Sequence, residues 1–87
     1  MNTTETKIWE YLVSHKLYPF SVLFMKEQHI LKISFYLKDD IQEFLDVSGY
    51  EKMCDNFGYQ TYQDNTILIF GSFLSNFLRN VGCSEVY

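Results

Sequence analysis

The side chains able to hold a metal or act as nucleophiles are few and far apart. His15, His29, Cys54 and Cys83 supply zinc-type ligands, but no two stand at a C-x2-C or H-x3-H spacing. Nucleophilic catalysis needs a Ser or Cys, a His and an orienting group gathered in space, and no local motif gathers them. His15 is expected to end the inner stripe of a first helix, and His29 to sit at a hairpin turn. Cys54 falls in an apolar helical stripe, where a buried thiol is inert. No glycine-rich phosphate loop is present. These residue types point to a chain with no cofactor, no metal and no catalytic site of its own.

The carboxylates are the one dense group. Asp39, Asp40, Glu43 and Asp46, with Glu51 and Asp55 further on, follow the start of a helix. A hydrolytic pair would need two carboxyl groups whose environments push their proton affinities apart. Acids at a helix N-terminus have a simpler reason to be there, because the helix dipole favours negative charge. The group therefore reads as a cap with a solvated face, or as a negative strip docking on a basic groove and speeding association electrostatically.

Composition narrows the partner. The net charge is −4, and Lys7, Lys16, Lys26, Lys32, Lys38, Lys52 and Arg79 are scattered. Nucleic-acid binding needs clustered bases to displace counterions, so direct binding to it is not expected. Eight Phe, seven Tyr and one Trp in 87 residues are the outlier. Aromatic side chains are enriched at interfaces as well as in cores, and a core this small should leave some of them exposed. The residue usage, rich in Lys, Phe, Tyr, Ile and Asn, suits AT-rich coding DNA of a low-GC bacterium, its phage or another virus. The polar start Met1–Glu5 lacks the basic-then-apolar order of a signal peptide, and no apolar run approaches a membrane span. A cytoplasmic protein with reduced thiols is the expectation.

These residues are positioned by a regular succession of elements. Asn2 and Glu5 form a capping box for a helix over 4–17, with Ile8, Tyr11 and Leu12 on one face and Pro19 beyond its end. An alternating stretch follows. With a turn at Glu27-Gln28, Phe24 lies opposite Leu31, Val22 opposite Ile33 and Phe20 opposite Phe35, and Leu37 extends this apolar face. The reverse face carries Leu23, Met25, Ile30 and Tyr36, a patch left open if every helix packs on the other side. Asp40 with Glu43 reads as a capping box for a helix over 40–47. Ser48 with Glu51 reads as another, for a helix over 49–57 after a phase break at Ser48-Gly49. Tyr59–Gln63 and Thr66–Phe70 flank Asp64-Asn65 as a second hairpin, apolar on both faces and suited to a strand covered on both sides. A last helix starts at Gly71-Ser72, buries Phe73, Leu74, Phe77, Leu78 and Val81, and stops at Gly82.

The fold expected is α+β: one domain over 1–87, with an antiparallel sheet of about four strands (two hairpins) and helices packed on it in the order α-ββ-αα-ββ-α. Size, acidity and aromatic excess fit a small non-enzymatic inhibitor carried by a phage or mobile element. It would block a host defence nuclease, as anti-CRISPR proteins do, or neutralise a toxin as an immunity protein does. The alternative is a self-associating assembly protein, a homodimer joined through Leu23, Met25, Ile30 and Tyr36. An enzyme with a site formed only in the oligomer stands behind both.

Overall fold

The computed structural model describes residues 1–49 and 58–83. Helix α1 spans Thr3–Ser14, and its start is set by the expected box. The Glu5 N–H donates to Asn2 Oδ1 at 2.8 Å, and the Asn2 N–H donates to Glu5 Oε1 at 3.1 Å. The helix stops at Ser14 rather than Leu17 because Lys16 turns left-handed, with φ of 62°. The N–H groups of Lys16 and Leu17 then fold back onto the carbonyls of Val13 and Leu12, a Schellman end with Leu17 buried below it. That early stop leaves His15 exposed, its ring tilted against Tyr11 at 4.5 Å, instead of ending the inner stripe.

Strands β1 (Pro19–Met25) and β2 (Ile30–Phe35) pair with Phe24 opposite Leu31 and Val22 opposite Ile33, as the apolar alternation requires. The register slips between Pro19 and Ser21, so Pro19 faces Phe35 and Phe20 is the extra residue of a bulge. Phe20 consequently leaves the core face and meets Tyr36 in a tilted contact, with ring centroids 5.4 Å apart. Leu37 does not extend that face either; it is exposed beyond the strand end.

Helix α2 spans Asp39–Ser48 and buries Ile41, Phe44, Leu45 and Ser48. Asp40 does not cap it. The helix already starts at Asp39, Lys38 holds the cap position without a side-chain bond, and both aspartates lie in the first turn. Gly49 ends the helix in the left-handed conformation, at the phase break seen in the sequence. The Ser48 hydroxyl donates back to the Leu45 carbonyl at 3.2 Å; the capping box expected between Ser48 and Glu51 reaches outside the described residues. The helix expected over 49–57, with Cys54, lies outside the described residues, as does the tail after Cys83.

Strands β3 (Tyr59–Tyr62) and β4 (Thr66–Ile69) pair as Tyr59–Ile69, Gln60–Leu68, Thr61–Ile67 and Tyr62–Thr66. The loop is three residues, 63–65, with Gln63 at φ 54°, so the Asp64-Asn65 two-residue turn is not made. One step of register moves each β3 side chain to the other face: Tyr59 and Thr61 join Ile67 and Ile69, while Tyr62 joins Leu68. Helix α3 (Gly71–Asn80) buries Phe73, Leu74, Phe77 and Leu78 and closes on Gly82 with a second Schellman end. Gly58 lets β3 begin hard against α3, because a Cβ there would lie 2.5 Å from that of Phe73.

The hairpins meet through β2 and β4, giving one antiparallel sheet in the order β1-β2-β4-β3. Among the described residues the succession is α-ββ-α-ββ-α, an α+β fold. One core joins Ile8 and Leu12 of α1, Phe44 of α2 and Phe73 and Phe77 of α3 to Leu31, Ile33, Ile67 and Ile69 of the sheet. The helices therefore form one layer on one face.

Two outcomes follow. A non-glycine residue in the left-handed region costs roughly 1–2 kcal/mol. Lys16→Gly should raise stability by about 1 kcal/mol, seen as a Tm gain of about 4–8 °C; an unchanged or lower Tm would contradict the Schellman account. Burial raises the pKa of the Tyr11 hydroxyl above its ordinary value. The folded chain then keeps a proton that the unfolded chain releases near pH about 10, so stability intact below that pH falls as pH rises through the folded value. Tyr11→Phe should flatten part of this alkaline loss in Tm measured against pH, and an identical profile would contradict the assignment.

Candidate functional site

A four-stranded sheet has two faces, and the layer of described helices covers one. Period-2 alternation places the side chains between the core positions on the other face. Across the strands its middle row reads Leu23, Lys32, Leu68, Gln60, and the next row Ser21, Ser34, Thr66, Tyr62. Met25 and Ile30 pair at one end, and Tyr36 with Phe20 closes the other. Ser34 and Thr66 are small and buried, and their hydroxyls bond each other at 2.9 Å, so this strip presents no unsatisfied polar group. Around them Leu23 is 45% exposed, Phe20 48%, Tyr62 53% and Tyr36 71%. Met25, Ile30, Lys32 and Leu68 are half-buried. The four residues singled out in the first hairpin thus share one open face. The structure adds Phe20 through the bulge, and Tyr62 and Leu68 through the second hairpin, whose outer face is not covered by any described helix.

The edge beside this face is guarded. The buried Glu5 carboxylate, already part of the α1 cap, accepts the Phe24 N–H of edge strand β1 at 2.8 Å through Oε2. A carboxylate accepting both a cap N–H and a strand N–H locks α1 along β1 and removes a donor that would invite another strand.

The acidic group lies elsewhere. Asp39, Glu43 and Asp46 are exposed and fall at i, i+4 and i+7 on α2, opposite its buried stripe; Asp40 is half-buried beside them. Gln42 Nε2 donates to Asp46 Oδ1 at 3.1 Å. These acids lie on α2, in the helix layer rather than on the open face, and Asp39 with Gln42 borders a shallow pocket shared with Thr61, Gln63 and Asp64 at the β3–β4 end of the sheet. Glu51 and Asp55 lie outside the described residues.

The catalytic residue types among the described residues lie apart. His29 Nε2 lies 3.4 Å from Ser75 Oγ, which ties the first hairpin loop to α3. His15 is on Tyr11, and Cys83 is a buried thiol after α3. Among the described residues no three His, Cys, Asp or Glu side chains gather as a metal site would require. A cleft of about 530 Å³ opens at the start of α1 between Lys7 and Lys26. The dipole of that helix end is answered by Glu5, and Lys7 Nζ donates to the Gly82 carbonyl at 3.0 Å. No described helix is long and apolar enough to cross a membrane.

No protein-family model matches the chain, and no curated protein or solved structure matches it closely enough to carry an argument.

The contrast between the faces is measurable. Ile33→Ala empties a fully buried position and should cost about 2–5 kcal/mol, whereas Leu23→Ala on the neighbouring residue pair should cost under about 1 kcal/mol. Equal losses in urea denaturation would mean that the outer face is packed rather than open.

Proposed function

We propose that this chain is a small non-enzymatic protein-binding inhibitor whose docking surface is the open face of its sheet. The observation that carries the reading is the concentration of exposed Phe20, Leu23, Tyr36 and Tyr62 on the sheet face that none of the described helices covers. Aromatic and aliphatic side chains held on a paired sheet lose little freedom when covered, which makes them effective contact residues. The partner class is a larger macromolecular machine in the cytoplasm of a bacterium or infected cell: a defence nuclease, as for an anti-CRISPR protein, or a toxin. Net charge −4 and the Asp39–Glu43–Asp46 stripe favour encounter with a basic partner over long range. Direct nucleic-acid or membrane binding has no place in this reading.

A second copy of the chain is the alternative occupant, favoured by the same exposed side chains. The experiment is affinity capture of the tagged protein from a low-GC bacterial lysate, followed by binding of the recovered partner to purified variants. Leu23→Asp with Tyr62→Asp should weaken that binding at least about tenfold, since charges would be buried without partners. Glu43→Lys with Asp46→Lys should mainly slow association and reduce its salt dependence. A partner indifferent to the first pair and lost with the second would move the docking surface to α2. Bait recovered alone as a dimer would favour self-association.

A further inference from the structure

The centre of the open face is occupied by a charge. Lys32 stands on inner strand β2, with Leu23 beside it on β1 and Leu68 beside it on β4, and the row ends at Gln60. Ile30 and Ser34 flank it along its own strand on the same face. Lys32 is half-buried, and among the described residues it has no carboxylate partner; no acidic side chain occupies the face defined by these pairings. Directly opposite Cβ atoms in a sheet lie about 4.5–5.5 Å apart, so the ammonium rises from an apolar surround.

We propose that Lys32 sets the specificity of this face: it bars a second copy and selects a protein partner that lays an apolar surface carrying one carboxylate over it. This rests on the docking face proposed above and identifies what the partner must present there. Stacked sheets approach to about 10 Å, and a two-fold axis near the face centre brings the two Lys32 side chains together with no acid among the described residues of either face to neutralise them. Removing two like charges from water without compensation strongly opposes that dimer. A carboxylate from a different protein converts the same burial into a charge-assisted hydrogen bond inside a water-excluding apolar ring. A charge on an otherwise sticky sheet face also resists non-specific sheet association.

The test uses copies of this chain as probes, with mass read by sedimentation velocity and folding checked by circular dichroism. The unaltered protein should sediment as a monomer. Lys32→Leu, which removes the barrier and leaves the apolar ring, should shift to twice that mass. Lys32→Glu supplies the complementary carboxylate; mixed with the unaltered chain it should give a one-to-one complex at least about tenfold tighter than either self-association, weakening as salt is raised. Adding Leu23→Asp should abolish both the Lys32→Leu dimer and the mixed complex. The proposal is overturned if the unaltered chain already dimerises through this face, or if folded Lys32→Leu and the Lys32→Glu mixture both stay monomeric. Neither result removes the docking face, which binding of the captured partner to Leu23→Asp/Tyr62→Asp judges separately. Association that survives Leu23→Asp would instead place the contact off the open face and overturn the Lys32 proposal.

Discussion

The pairing of β2 with β4 is the contact on which the rest of the structure depends. Each hairpin alone has only a narrow apolar strip and is marginal in water. Joined through Leu31–Ile69 and Ile33–Ile67, they present one apolar plane wide enough for all three described helices. The join is fixed at its end by polar bonds as well: the Phe35 N–H donates to the Asn65 carbonyl at 2.8 Å, and Asn65 Nδ2 donates to the Phe35 carbonyl at 2.9 Å. Because side chains alternate, the register that turns Ile33 and Ile67 inward necessarily turns Lys32 and Leu68 outward. Core and open face are two consequences of one pairing.

The aromatic side chains divide along the same plane. Phe35, Phe44, Phe73 and Phe77 are fully buried, and Phe44 meets the rings of Phe73 and Phe77 at 6.2 and 5.3 Å. Tilted and edge-on contacts of this kind add to burial. These four rings bridge β2, α2 and α3, and Tyr11 extends the cluster to α1 by an edge contact with Phe77 at 5.2 Å. Phe20, Tyr36 and Tyr62 lie across the sheet, outside the core. The described helices form a single layer on the other face, which is why these rings accumulate on the sheet's outer surface.

Local rules made much of this legible. The Asn2–Glu5 box, the stop of α2 at Gly49, the α3 stripe and the Phe24–Leu31 register all follow from short-range chemistry, and the structure contains each of them. The reverse face of the first hairpin was readable for the same reason. Three features were not. The bulge at Phe20 depends on Pro19 taking the place opposite Phe35, a tertiary choice that alternation does not encode. The second hairpin uses Gln63 in a left-handed turn where Asp64-Asn65 suggested a shorter one, and the resulting slip decided where Tyr62 lies. The pairing between hairpins is long-range, so Lys32 at the centre of a four-strand face emerges only after assembly. The dual use of Glu5, as cap and as edge guard, had half its signal in the sequence: the capping spacing showed, and the Phe24 contact did not.

The central claim is that the described helices cover this sheet on one face and leave the other open. A soluble gadolinium chelate, with methyl relaxation followed by NMR, tests it directly. The account predicts strong enhancement at the methyl groups of Leu23, Ile30 and Leu68 and little at those of Ile33, Ile67 and Ile69. Comparable protection of both sets would contradict it and show that the outer face is buried in the molecule as it exists in solution.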